Sequence, residues 1–296
     1  MSETPKIIDY EGSDYRTDFW EGRGRAYEDL VERAALQRLL PAQGRRLLEV
    51  GAGFGRLTRE YDQYEQVVLL DYSFSQLQYA RQQLGDSRYL YVAADAYRLP
   101  FRPGVFDGAT MIRVIHHISD VPRMLDGLQR VLASDAHFIL EFASKRNLKA
   151  MLRYALRRQD WSPYTSDPVE FVELNFDFHP DYIFDQLRAT GFTVERKLPL
   201  SYFRLGALKQ VVPARVLASL DRVTQLTGLL YSPSVITRNR LVKPESTSAV
   251  STEGTAIFAC PDTGQPLHRE GDAMVSDAGT RYEIRDGIYL FKPLDG

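Results

Sequence analysis

At 296 residues the chain is long enough for a domain of ordinary size plus a smaller one, and 44% hydrophobic residues suffice for a substantial core. A formal net charge of −2 excludes a global attraction to nucleic acid or anionic membrane, so any such binding must come from local patches. The single cysteine, Cys260, excludes an internal disulfide framework and fits a reducing cytoplasm, where the protein is expected.

The first residues, Met1 to Asp14, are polar and acidic, and no stretch approaches the ~20 apolar residues of a membrane span, so neither export nor integral membrane association is expected. Tyr15, Phe19, Trp20, Arg25 and Tyr27 then form an aromatic and basic segment. From Arg45 to Phe142 strand-like runs at 46–50, 66–71, 88–93, 105–112 and 136–142 alternate with amphipathic helical patterns such as Ser73 to Leu84 and Val121 to Leu132. That rhythm predicts an α/β fold with a mostly parallel, Rossmann-like sheet and helices on both faces. Ligands of such sheets collect at the carboxyl ends of the strands, where Gly51, Asp71, Asp95 and Arg113 all fall.

Leu47 to Leu57 reads as a buried strand entering a glycine-rich turn and then a helix. Gly51, Gly53 and Gly55 let the backbone approach a ligand and adopt positive φ. The second strand, Val67 to Leu70, ends in Asp71, placed to take two ribose hydroxyls. The third glycine comes two residues after the second rather than three, so the spacing departs from the dinucleotide fingerprint and assures no pyrophosphate seat.

Beyond the fifth strand, Ser144 to Arg158 holds Lys145, Arg146, Lys149, Arg153, Arg157 and Arg158 with no acid, while Leu148, Met151, Leu152, Ala155 and Leu156 recur at helical spacing. This basic amphipathic helix packs on the sheet by its apolar face, or offers a docking surface to an anionic substrate, RNA or lipid headgroups. Phe192 to Leu200 and Ser234 to Val242 read as sixth and seventh strands, and the helical stretch Leu205 to Leu230 between them covers a pocket mouth or belongs to the core. Residues 244–254 are polar and aperiodic, a linker, and 255–296 form a small β-rich domain.

Glu49 followed by the Gly-x-Gly-x-Gly run ending at Gly55 resembles the first motif of the class I S-adenosylmethionine-dependent methyltransferases. Asp95-Ala96, the strand from Val105 to Met111 and the segment His116 to Asp120 continue the resemblance, which spans about residues 25–243. It implies a seven-stranded sheet for residues 30–243 and S-adenosylmethionine as cofactor. It also implies Glu49 at the methionine ammonium, the turn of Gly51, Ala52, Gly53 and Gly55 against the ligand, Asp71 at the ribose, Asp95 and Ala96 at the adenine, and Tyr72 among the cofactor-binding residues. Residues 1–29 would then be a lid, with Trp20 and Arg25 as contacts, or else an aromatic anchor for the first helix. In texture the chain is similar to quinone-biosynthesis-type and other small-molecule methyltransferases. Cys260 to Leu267 and Tyr282 to Leu290 resemble the zinc-ribbon-related domain that activates RNA and protein methyltransferases as a separate subunit. That family's metal-bearing versions use paired cysteines; with only Cys260 and His268 as soft ligands here, no zinc is expected.

Methyl transfer from a sulfonium needs positioning rather than a protein nucleophile. His116 and His117 are the general-base candidates, or else pack on the sheet and cap the next helix. Arg113 contacts an anionic substrate or the methionine carboxylate, or forms a structural ion pair. His179 is read as a helix cap. The absence of an Asn/Asp-Pro-Pro-Tyr motif around Asp107 disfavours planar nitrogen acceptors, which leaves a small-molecule acceptor methylated at oxygen or carbon. An RNA acceptor and a non-catalytic S-adenosylmethionine-binding protein are the rival readings, and the oligomeric state is open.

Overall fold

The computed structural model describes residues 24–243 and 254–292 together with Pro5, Ile7, Asp9, Glu11 and Gly12. Tyr15, Phe19 and Trp20 of the expected lid lie outside the described residues, as does all of the linker except Gly254. In chain order the elements are α1 (Ala26–Leu39), β1 (Gly44–Val50), β2 (Tyr64–Asp71), α2 (Phe74–Leu84), β3 (Tyr89–Ala93), β4 (Phe106–Met111), α3 (Val121–Val131) and β5 (Leu132–Ala143). There follow α4 (Leu148–Ala155), β6 (Val169–Val172), β7 (Asn175–Asp177), α5 (Pro180–Ala189), β8 (Phe192–Leu200), α6 (Gly206–Val211), α7 (Ala214–Thr224) and β9 (Ser234–Leu241). The last four strands are β10 (Leu267–Glu270), β11 (Ala273–Ser276), β12 (Arg281–Arg285) and β13 (Ile288–Leu290).

The central sheet runs β3-β2-β1-β4-β5-β9-β8, parallel from β3 to β5, with β9 antiparallel to both its neighbours. Alternation along the strands sorts the side chains onto two faces. Leu48, Val50, Val68 and Leu70 share one core with Met124, Leu128, Ile183 and Leu187 of α3 and α5. Leu47, Val67 and Leu69 share the other with Val31, Leu36, Leu77 and Leu217 of α1, α2 and α7. Asp107 pins the entry of β1 to β4, accepting hydrogen bonds from the amides of Arg45 (2.7 Å) and Arg46 (2.8 Å).

Three expectations need correction. The sheet has eleven strands among the described residues, because β13 pairs in parallel with β3 and carries β12, β11 and β10 outward from that edge. The C-terminal β unit thus continues the sheet from the β3 edge, which covers an edge strand that would otherwise present unpaired backbone groups. Phe291 N donates to Ala93 O (2.8 Å), Ala259 N to Pro100 O (3.0 Å) and Arg102 N to Ile257 O (2.8 Å). Second, no α-helix follows the glycine turn; only a 3₁₀ turn at Thr58–Glu60 fits before β2 opens at Tyr64. Third, the basic helix α4 does not pack by its apolar face: Ala150 is its sole buried residue, and Leu148 and Leu152 are more than half exposed. His179 does cap α5, its Nδ1 accepting from Asp181 N (3.2 Å).

Phe258 stacks on Phe101 (ring centroids 5.7 Å apart) and meets Tyr289 and Phe291, so the C-terminal unit and the central sheet share one core. Phe258→Ala is expected to cost about 3–5 kcal/mol, and the full chain's thermal midpoint should fall in a single transition, by about 2–4 °C per kcal/mol. A separate low-temperature transition confined to the C-terminal unit, with the main one unmoved, would show that the two unfold independently.

Candidate active site

At the carboxyl ends of β1, β2, β3 and β4 lies a cleft open to solvent. Gly51, Gly53, Asp71, Tyr72, Asp95, Ala96, Arg113 and His117 line it. Three crossover connections bring together residues distant in sequence, because each parallel strand ends on the same side of the sheet.

The glycine turn and Asp71 form one hydrogen-bonded unit. Asp71 Oδ2 accepts from Gly53 N (2.7 Å) and Oδ1 from Ser73 N (2.9 Å), which fixes the carboxylate at the cleft wall with further lone pairs to offer. Burial pushes its pKa up, against the stabilisation by the amides of Ser73 and Gly53. Gly51 has φ +69°, and a Cβ there would overlap Val114, so the turn passes too close to β4's exit for any side chain. Gly53 (φ +52°) has open space where a Cβ would stand, and this is the side on which a ligand can approach the backbone. Gly55 differs from expectation: it lines no described cleft, and a Cβ on it would meet Leu84 Cδ1 at 2.9 Å, so it serves the packing of the turn onto α2.

A smaller adjoining cleft shares Gly51, Gly53 and Arg113 with the first and adds Glu49, Ala52, Arg56 and Thr110. Glu49 is buried and its Oε2 accepts from Thr58 Oγ1 (2.6 Å). Burial pushes its pKa up to about 7, despite hydrogen bonds from Thr58 and Tyr61. Arg113 takes a positive φ of 59°, its amide donating to Glu141 Oε2 (2.9 Å) while its Nε donates to buried Glu32 (2.6 Å). Arg113 forms the ion pair with Glu32 and also lines both clefts.

Across the first cleft, Asp95 Oδ1 accepts from Tyr97 N (2.7 Å), and Ala96, Tyr97 and Ile118 make an apolar wall beside it. The histidines separate in role. His117 lines the cleft and its Nδ1 lies 2.9 Å from Leu174 O; a carbonyl can only accept, so the proton sits on Nδ1 and Nε2 is the basic nitrogen of the neutral ring. His116 lies behind it, ring centroids 4.0 Å apart, lines no described cleft, and is pushed by burial and by the neighbouring His117 and Arg113 down to about 3. Its ring contact is with His117.

Several lining residues escaped the sequence reading: Ile7, Gln76, Tyr97, Val114 and Ile118. Tyr97 and Ile118 lie within two residues of predicted ones and could have been inferred by proximity, whereas nothing in the sequence marks Ile7. Tyr27 is an anchor rather than a lid contact: it is buried in α1, its hydroxyl donates to Asp221 of α7, and it accepts from Phe203 N (3.0 Å). Arg25 stands at the N-cap of α1. The stretch Leu205 to Leu230 lines no described cleft; α7 packs Leu217 and Ala218 against α1.

A parallel sheet in this strand order, with a glycine turn after β1 and an acid closing β2, defines the fold of the S-adenosylmethionine-dependent methyltransferases. Residues 48–140 match the family model described as a methyltransferase domain. This segment is thus similar to methyltransferase domains, and S-adenosylmethionine-dependent methyltransferases of known structure share its fold. Among curated relatives, the malonyl-[acyl-carrier protein] O-methyltransferase of Geobacter sulfurreducens is 30% identical over 176 residues, 53% of this chain and 66% of that protein. The ubiquinone/menaquinone biosynthesis C-methyltransferase UbiE of Vibrio cholerae is 32% identical over 109 residues, 34% of this chain and 42% of that one. The chain spans about half the length of the curated relatives it matches. An S-adenosylmethionine-dependent methyltransferase from Mesorhizobium loti superimposes with a TM-score of 0.51 at 18% identity, over 72% of this chain and 99% of that one, which shows the shared fold.

Two outcomes follow from this geometry. Asp71→Ala should weaken S-adenosylmethionine binding by at least about tenfold in calorimetry, since a charge-assisted contact to the ribose is lost; equal affinities would remove Asp71 from the site. Glu49 is largely protonated at about pH 6, and a bound ammonium favours its ionised form, so binding there should release close to one proton and tighten as pH rises through about 7. Titrations in buffers of different ionisation enthalpy measure that proton, and it should vanish in Glu49→Gln.

Proposed function

We propose that the chain transfers the methyl group of S-adenosylmethionine to a small-molecule acceptor, at oxygen or carbon, by in-line displacement. The observation that carries this reading is that one cleft is lined by the Gly53–Asp71 unit, by Asp95 and by His117, whose Nε2 is the basic nitrogen of the neutral ring. When bound, the cofactor supplies an electrophilic methyl on a sulfonium. The protein's task is to hold donor and acceptor in register and dry, which can contribute about 7–11 kcal/mol of barrier lowering. Gly51, Gly53, Asp71, Tyr72, Asp95 and Ala96 are assigned to cofactor binding, with Glu49, Ala52 and Arg113 around its methionine end. His117 Nε2 takes the acceptor's proton as the new bond forms.

Oxygen or carbon is favoured because Asp107, the acid nearest to a nitrogen-methylating motif, spends both oxygens on the amides at the start of β1, far from the carboxyl ends. Cys260 is buried in the sheet extension with Sγ 3.2 Å from Tyr282 Oη, which gives cysteine-assisted carbon methylation no support. The relatives' names point the same way, to an O-methyltransferase and a quinone C-methyltransferase.

Release of S-adenosylhomocysteine from purified protein, offered cell metabolite extract and separately total RNA, tests the reading. Release with the extract alone supports it, release with RNA alone transfers it to an RNA methyltransferase, and release with neither favours a binding protein. Once an acceptor is in hand, His117→Ala should lower kcat about a hundredfold with cofactor affinity nearly unchanged, while His116→Ala changes kcat far less. Burial lowers the pKa of His117, so the acidic limb of the rate profile should lie below the ordinary histidine range and disappear in His117→Ala. Full activity in that variant would leave positioning alone as the mechanism.

A further inference from the structure

Two insertions rise from the carboxyl ends of the strands, on the same side of the sheet as the cleft. One follows β5 and contains α4 and the β6–β7 hairpin; the other follows β8 and contains α6 and α7. They are joined where Leu148 N donates to Tyr231 O (2.9 Å) and the Arg146 guanidinium lies over the Tyr231 ring (5.1 Å). The hairpin reaches the cleft through Leu174 O, the partner of His117.

Each insertion turns apolar side chains outward in a regular row. On α4 and its C-cap these are Leu148, Leu152 and Leu156, 57%, 61% and 54% exposed, one turn apart. On α7 they are Val216, Leu220 and Val223, while Leu217, Ala218 and Asp221 occupy the buried side. Exposed cations surround both rows: Lys149, Arg153, Arg157 and Arg158 beside the first, Arg215 and Arg222 beside the second. Between Ser144 and Arg158 there is no carboxylate, the exposed acids of the first insertion, Asp160, Asp167, Glu170 and Glu173, all coming after α4, and the second insertion's only one, Asp221, is buried.

We propose that this face docks on the surface of an anionic phospholipid bilayer, with the leucine and valine rows at the headgroup–acyl boundary and the arginines and lysine on the phosphates. The charge sign and the aliphatic centre decide the occupant. Short helices with an apolar row flanked by cations lie in the membrane interface, and each cation near an anionic surface adds attraction. A second copy of the chain would bring like charges together across the interface, and RNA gains from stacking aromatics rather than from rows of leucine and valine. Among the described residues no helix is long and apolar enough to cross a membrane, so the contact is peripheral. A bilayer held there borders the rim of the cleft at the hairpin.

Co-sedimentation of the full chain with vesicles, one set of phosphatidylcholine and one of phosphatidylcholine with phosphatidylglycerol, tests this without any assumption about methyl transfer. Binding should be at least about tenfold stronger to the anionic set and weaken as salt is raised. The double variants Leu152→Asp/Leu220→Asp and Arg153→Glu/Arg157→Glu should each lose about tenfold or more, with unchanged thermal midpoints because these side chains are exposed. Absence of binding at low salt, equal binding to both vesicle sets, or parental binding by both variants overturns the proposal. So does a dimer in sedimentation velocity that Leu152→Asp/Leu220→Asp dissociates, or retention of total RNA that displaces the vesicles.

Discussion

Glu32, buried on α1, accepts from Arg56 Nη2 (2.5 Å) and Arg113 Nε (2.6 Å), and the site depends on this three-membered cluster. Arg56 closes the glycine turn and Arg113 follows β4, so one carboxylate ties two walls of the cleft to a helix that precedes the sheet. Burial alone would raise the carboxyl's pKa, yet the two guanidinium groups hold it below the usual range, and the cluster stays charged. Such a cluster contributes little net stability, but it is costly to break one partner at a time, which makes it a device for fixing geometry. Its importance here follows from a local shortage. With only a 3₁₀ turn between the glycine turn and β2, no helix dipole or helical backbone holds the turn in place. Arg56 makes up the deficit, pairing with Asp29 and Glu32 while its carbonyl accepts from Arg33 (2.8 Å).

The far edge of the sheet bears on the same site. Strand β13 runs beside β3 and ends near Lys292, whose Nζ lies 3.8 Å from the centroid of the Tyr72 ring and whose charge favours the ionised form of Asp71. Glu11, from the start of the chain, accepts from the amides of Phe74 (2.6 Å) and Ser75 (3.1 Å) at the head of α2, and Ile7 enters the cleft wall. Ile7, Asp9, Glu11 and Lys292 therefore gather around the strand end that carries Asp71. On the other side, the β6–β7 hairpin of the insertion after β5 reaches the cleft through Leu174 O, the partner of His117 Nδ1.

Periodicity and turn chemistry were legible without coordinates wherever the cause was local. The strands at 46–50, 66–71 and 192–200, the cap at His179, and the placement of Asp71 and Asp95 at strand ends all follow from alternation, glycine placement and the rule that parallel strands finish on one side. Tertiary structure decided what depended on a partner far away in sequence. Hydrogen-bonded spacing cannot reveal that β13 will pair with β3, because a short apolar strand fits any free edge, and so a sheet extension read as a separate domain. Two adjacent histidines are equivalent in sequence, yet one faces the cleft with Nδ1 held by Leu174 and the other is desolvated behind it, a difference set only by how the β6–β7 hairpin folds over them. The leucines of α4 have the spacing of a core-facing helix, and only the packed structure shows that nothing among the described residues covers them, since periodicity specifies a face and not what lies against it.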